Sequence, residues 1–376
     1  MKLVPVWIYI ENGTFLEAKS FGVLGTKIGE MNFNSAMTGY QEILTDPSYA
    51  GQFVVSTMPE VGIVGTNADD MESSNIHASG MIVRKINANS SNFRSQKNII
   101  NFLHEHGGFG ICDIDTRYLT KMIRDNGSKM MVASTEISDK TALKAILDAA
   151  PNRENIDYTK QVTTSSVYVH KLARWDEASL SYRDAKNSLN KKVVVLDFGV
   201  KKSILSELCE SGLEVEVAPA STSAKSLISR FKNGEISGVL LSCGPGNPLI
   251  LKEAIEEIKL LIKEKLPMLG IGLGHQLISI AHGHSASKLK FGQHGDNYPV
   301  KNIKTGSVKI STQNYNYNVS ESVCKIATST HINLFSEAIA GLKYNDSPII
   351  SVQYHPEGGP GPHENRDIFQ TFVSML

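Results

Sequence analysis

The rhythm of apolar and polar positions changes halfway along the chain. Near the N-terminus it alternates. Val6 to Ile10 runs into Asn12-Gly13 and returns through Thr14 to Ala18, the pattern of a hairpin closed by a tight turn. Strand patterns recur at Phe53–Thr57 and Gly80–Ile86, and helical ones at Ser95–His106, Thr116–Asp125 and Lys140–Ala150. Asp115 is placed to cap the second of these helices and Asn126-Gly127 to stop it. This half reads as mixed β with some helix.

A polar stretch rich in Ser, Asn and Lys, Ala178–Lys192, reads as the interdomain connection. Beyond it, short strand-like runs, continuously apolar at Val193–Leu196, alternate with amphipathic helices. The runs are Val193–Leu196, Leu213–Ala218, Gly238–Ser242 and Pro267–Ile271. The helices are Lys201–Glu210, Ala224–Phe231, Leu251–Lys263 and Leu273–Ala281. Leu251, Ile255, Ile258, Leu261 and Ile262 share one helical face. Strands apolar at every position are buried on both sides, which predicts a parallel sheet covered by helices on each face. The fold class expected is α/β. A mixed β/α domain over residues 1–185 precedes a doubly wound, mainly parallel-sheet domain over residues 193–376.

In such sheets the reactive groups gather beyond the carboxyl ends of the strands, and three loops there carry candidate chemistry. Ser242–Pro248 holds Gly-Pro-Gly, whose open amides suit an oxyanion or anion cradle; a plain strand-to-helix turn explains it equally well. Gly270–Gln276 has the outline of a nucleophile elbow, although glycine-rich turns also cradle phosphates. His355-Pro-Glu357 follows a strand, and a carboxylate behind an imidazole is the orienting part of a triad. In isolation that pair is more often structural.

Composition narrows the picture by exclusion. Lys plus Arg and Asp plus Glu are 38 each, so no net field favours nucleic acid or an acidic membrane. No apolar run approaches the ~20 residues of a membrane span. The N-terminus lacks the apolar stretch of a signal peptide. Cys112, Cys209, Cys243 and Cys324 are widely spaced, so neither a disulfide frame nor a zinc site is expected, and a reducing cytoplasm is. Cys112, Cys209 and Cys324 are expected to be buried small apolar residues.

Taken in order, the GPG loop, the GIxLGHQ elbow and HPE resemble the class I, triad-type glutamine amidotransferases. The segment Met37–Tyr49 resembles the signature of the small subunit of carbamoyl-phosphate synthase. So do Asp113–Arg117, Asp197–Lys201, Lys290–Gly292 with Pro299-Val300, and His355–His363. The resemblance implies a swivel-like N-terminal domain and a C-terminal amidotransferase domain. It implies a cysteine that attacks the glutamine carboxamide, and ammonia that tunnels to a large subunit. That partner uses bicarbonate, ATP and Mg to make carbamoyl phosphate for pyrimidine and arginine synthesis, so this chain is expected to form a heterodimer and to need no cofactor or metal of its own. It also implies roles by position. His355 is the acid/base and Glu357 its orienter. Gly244 and Gly246 line the glutamine site, the Leu273 amide serves the oxyanion, and Gln276, Asn314 and Ser48 contact glutamine, with Asn316 and Tyr317 beside them.

The departures fall where they matter. The family's elbow reads GICLGHQ; here Gly272 holds the nucleophile position. Without sulfur no thioester forms, and loss of a triad nucleophile typically costs about 10⁶ in kcat while the pocket survives. Cys243, in the place of a usual asparagine, is the one nearby thiol, and an oxyanion-loop side chain is poorly aimed to replace it. Asn316 and Tyr317 replace Gly-Phe, Tyr315 a histidine and Asn247 an aspartate. A hydrolytically defective amidotransferase subunit is therefore expected. The alternatives are a stand-alone γ-glutamyl peptidase-like protein or a non-catalytic regulatory binding protein, against which the N-terminal half speaks.

Overall fold

The computed structural model describes residues 3–376. They form two compact units, one running up to residue 156 with residues 290–295 added, the other comprising 157–289 and 296–376.

The first unit is built on a closed seven-stranded barrel. Around it the strands run Val4–Ile10, Phe15–Gly22, Phe109–Cys112, Gly80–Ile82, Gln52–Ser56, Thr26–Asn34 and Lys129–Ser134. The expected hairpin pairs Val6 with Ala18 and Ile8 with Leu16. Period two decides the packing. Phe53, Val55 and Ile82 join Val6, Ile8, Ile10 and Met131 in one cluster. Val54 and Met81 pack in another, with Tyr40, Ile99 and Phe102 from helices. Asp115 Oδ1 accepts from Tyr118 N at 2.9 Å, capping the helix Thr116–Asn126, and Gly127 at φ 85° ends it.

Two expectations shift. The helix expected from Ser95 begins at Ile99, because Asn98 takes the cap by accepting from Asn101 N. The strand expected over Gly80–Ile86 divides. Gly80–Ile82 stays in the barrel, while Lys85–Ile86 pairs with Glu60–Val61.

The second unit carries a ten-stranded sheet. Its centre is five parallel strands in the order Glu214–Pro219, Lys192–Asp197, Gly238–Leu241, Met268–Ile271 and Ile349–Val352. Alternate residues feed opposite faces. Val194 and Leu196 pack with Leu227, Ile255, Ile258 and Leu277. Val193 and Val195 pack with Ile204, Leu208, Phe369 and Phe372. Each such side chain contributes about 1.5–3 kcal/mol on burial, which is why the core positions of these strands are apolar. On one flank the sheet continues antiparallel through Ile339–Tyr344 and Ala327–Asn333 to Ala286–Asn302 and Val308–Val319. The alternating, polar-spotted sequence of that extension gave no strand signal.

Part of the polar stretch Ala178–Lys192, read as a connection, forms a strand instead, together with segments that precede it. Leu172–Asp176 and Ser181–Asp184 pair as a hairpin, and Tyr168–His170 joins the sheet beside Glu214–Pro219. The Arg174 guanidinium grips Glu207 through two hydrogen bonds of 2.9 and 2.6 Å. Residues 157–185 are thus grouped with the second unit, whereas the sequence draws the boundary after 185. The second strand of that hairpin, Ser181–Asp184, is polar and exposed, and the sequence reads it as part of the connection.

Candidate active site

Adjacent parallel strands deliver the expected loops to one edge of the second unit's sheet. Leu241 is level with Gly270, and Ile271 with Val352, so Cys243, Gly272 and His355 leave neighbouring strand ends within a few residues of each other. At the bend Gly272 adopts φ 57° and ψ −109°, and its N–H donates to Val352 O at 2.9 Å. The helix Leu273–Ala281 starts on the next residue. Its first amides have no intrahelical acceptor, and that of Leu273 belongs to this group.

The three glycines of the elbow have different causes. A Cβ on Gly274 would lie 2.1 Å from Leu241 O, and one on Gly270 would lie 2.6 Å from Ile278 Cδ1. Close packing of helix on strand demands both glycines. A Cβ on Gly272 would meet only Cys243, at 3.3 Å from its Cβ and 3.6 Å from its Cα. Space does not exclude a side chain there if Cys243 yields by a few tenths of an ångström; the backbone angles resist one as well. Gly244 is sterically required, since a Cβ would reach 2.2 Å from Phe198 O, while Gly246 is held at φ 92°.

His355 Nδ1 lies 2.8 Å from Glu357 Oε1, and Lys201 Nζ donates to that same oxygen at 2.6 Å. All three side chains are at most 1% exposed. Burial alone would push the Glu357 carboxyl up; the Lys201 ammonium and the His355 ring outweigh it and hold the group well below the usual carboxylate range. An ionised Glu357 accepts only, so His355 Nδ1 carries the hydrogen between them, and Nε2 is the ring nitrogen left over for proton transfer. That Nε2 is buried with no hydrogen-bond partner among the described residues.

Lys201, which pairs with Glu357, is absent from the expected site residues, although Asp197–Lys201 stands out as a motif. Its turn is fixed by Asp197, whose Oδ1 accepts from Gly199 N and Val200 N at 2.9 and 2.8 Å. The readable signal was a lysine set between the apolar residues Val200 and Ile204 at a strand-to-helix junction.

Cys243 Sγ is directed at Gly199 O, 3.4 Å away, and makes no bond to His355 Nε2. The remaining candidates are distributed as follows. Gln276 Nε2 donates to Tyr317 O at 2.8 Å and to Gln353 Oε1 at 3.1 Å, so its hydrogens are committed within the chain. Asn314, Asn316 and Tyr317 lie on the strand Val308–Val319, which reaches the site where His355 N donates to Thr312 O at 2.9 Å. Alternation puts Asn314 and Asn316 on one face and Tyr317 on the other. Ser48 belongs to the first unit, in a turn where its N–H donates to Asp46 Oδ1; its buried hydroxyl has no partner among the described residues. Asn247 Oδ1 accepts from Leu249 N, capping the turn after the GPG loop.

Comparison with known proteins assigns both units. Residues 8–133 match the profile of the carbamoyl-phosphate synthase small chain, CPSase domain, and residues 194–375 match glutamine amidotransferase class-I. The carbamoyl phosphate synthase small chain of Campylobacter jejuni is 52% identical over 99% of this chain and 100% of its own length. That of Helicobacter hepaticus is 50% identical over 99% and 98%. The chloroplastic small chain of Arabidopsis thaliana is 40% identical over 98% and 85%. The chain belongs to the carbamoyl phosphate synthase small chain family.

Within that family frame, the N-terminal match falls on the barrel and the amidotransferase match on the parallel-sheet unit. The cysteine expectation meets the structure in part. Cys112 and Cys209 are buried as expected, but Cys324 is exposed, because it sits on the short 3₁₀ turn Glu321–Lys325, which presents it outward. Among the described residues no group of three or more His, Cys, Asp or Glu could hold a metal ion, and no helix is long and apolar enough to cross a membrane.

Proposed function

We propose that this chain is a glutamine-binding amidotransferase subunit that partners a carbamoyl phosphate synthase large subunit and does not itself hydrolyse glutamine. The supporting observation is the pairing of a furnished site with a missing atom. The imidazole, its carboxylate and the lysine behind it are in place, while the elbow position they serve is Gly272. In the intact chemistry His355 Nε2 takes the proton of an elbow thiol, the thiolate attacks the carboxamide carbon and the Leu273 amide holds the oxyanion. His355 Nε2 then protonates the departing ammonia and later activates water. Gly272 offers no electron pair for the first step. The complex then draws on free ammonia for carbamoyl phosphate, the common precursor of pyrimidine and arginine synthesis.

The test restores the sulfur. Gly272→Cys alone places two cysteines with Cβ atoms about 3.3 Å apart, a few tenths of an ångström short of disulfide geometry, so oxidation would mask recovery. The informative variant is Gly272→Cys with Cys243→Asn. Assayed with a large subunit, it should gain glutamine-driven synthesis by about 10⁴-fold or more and show a glutamyl thioester by mass spectrometry. The unaltered chain should show neither. Robust glutaminase activity of the unaltered chain, abolished by thiol alkylation, would sink the proposal.

A further inference from the structure

Asp113–Arg117 marks a second place in the molecule to which the amidotransferase chemistry assigns nothing. In the first unit, a cavity of about 590 Å³ is lined by Arg84, Arg117, Lys121 and Arg124, with Thr57, Pro59, Thr116 and Thr120 completing the wall. Four cations face it and no carboxylate does. Of the acidic residues nearby, Asp125 pairs with one lining cation, Arg124, and the others are engaged elsewhere. Asp113 pairs with Lys19 at 3.1 Å, and Asp115 caps its helix. Asp125 accepts from Arg124 Nε, and Glu60 accepts from Asn87. Arg84, Arg117 and Lys121 have no carboxylate partner among the described residues.

Folding does not account for this arrangement. Arg117, Lys121 and Arg124 recur at i, i+4 and i+7 on the helix Thr116–Asn126, so like charges are stacked on one stripe, which disfavours a helix. Arg117 also sits in the first turn, where the helix dipole disfavours a cation. A chain that balances 38 basic against 38 acidic residues overall has concentrated one sign here. The cavity volume falls within the range of small-molecule sites, and two unpaired guanidinium forks suit planar, bidentate recognition of phosphate oxygens. A single carboxylate would leave most of the positive charge unbalanced.

We propose that this cavity binds a phosphate-bearing polyanion of pyrophosphate size, free or as the phosphate chain of a nucleotide. Isothermal titration calorimetry of the full chain in low-salt buffer tests it, with sodium pyrophosphate and ATP as separate probes. One saturable site per chain is expected for at least one probe. Arg117→Gln/Lys121→Gln and Arg84→Gln should each weaken it about tenfold or more, because each removes a charge-assisted contact. Lys225→Gln/Lys252→Gln, which deletes two exposed lysines of the second unit, should leave it unchanged. Tighter binding of ATP assigns a nucleotide; equal or tighter binding of pyrophosphate assigns a free polyphosphate. The proposal fails if neither probe saturates, if the cavity variants bind as well as the parent, or if the control variant loses binding equally. Circular dichroism of each variant separates loss of the site from loss of the fold.

Discussion

Among the described residues each unit holds a deeply buried ion pair, and the two are built for different ends. In the barrel, Arg153 Nη1 donates to Glu30 Oε2 at 2.7 Å, with both side chains 5% exposed. Asn32 Nδ2 donates to the same oxygen and to Gln52 Oε1, and Arg153 Nη2 reaches Ala50 O, so the pair is woven into neighbouring strands. In the sheet unit, Lys201 and Glu357 are more deeply buried, yet the hydrogen bonding runs on to His355 and stops there. Glu357 Oε2 and His355 Nε2 are left buried without partners among the described residues. Burying a polar atom unpaired costs about 1–3 kcal/mol, so a fold keeps such atoms where a ligand completes them. The first pair ties the barrel's own strands together; the second is a relay that ends on the imidazole of His355.

The sharpest way to break this contrast uses the cysteine-restored variant Gly272→Cys/Cys243→Asn. Glu357→Gln in that background should lower glutamine-dependent kcat by roughly 10³–10⁴, because the imidazole loses the partner that fixes its tautomer. Arg153→Met should change kcat less than about threefold. If both lower kcat alike, the relay is no more functional than the strut. Stability should not distinguish the pairs. Arg153→Met and Lys201→Met each strand a buried carboxylate and should each cost about 3–5 kcal/mol in urea titrations.

Acid sharpens the contrast further. The folded-state pKa of Glu357 is depressed, so its contribution is present above the ordinary carboxylate value and is lost as pH falls toward the folded one. Lys201→Met should flatten stability loss in that low window, below about pH 4.5. A separate loss precedes it. Burial lowers His170 to about 4 and His275 to about 3, so the unfolded chain takes up these protons first. Stability should therefore already fall between about pH 6.5 and 4. His275→Asn should reduce that slope, measured as urea midpoints against pH. The smallest effect belongs to the elbow. Gly272→Ala meets backbone strain and a slight displacement of Cys243 and should cost about 1–3 kcal/mol, while Gly274→Ala drives a Cβ into Leu241 O and should cost more.

The parts legible in advance were those with a local cause. The buried strands, the amphipathic helices, the Asp115 cap and the HPE segment each announce themselves within a few residues. The Glu207 anchor of the 172–184 hairpin did not, because its partner Arg174 lies 33 residues away. Nor did Lys201, which is joined to Glu357 across 156 residues and looks on the page like any helix-start lysine.

The sequence by itself determined that a parallel-sheet half follows a mixed β half, that an elbow exists, and that its central position holds no sulfur. Periodicity and residue identity are local quantities, and they suffice for that. Only the tertiary structure decided that the first strands close into a barrel. It alone showed that a Cβ at residue 272 would meet Cys243, and that four cations spread over Arg84 to Arg124 share one cavity. Contacts of this kind depend on how distant segments register against each other, and no short stretch of chain records that.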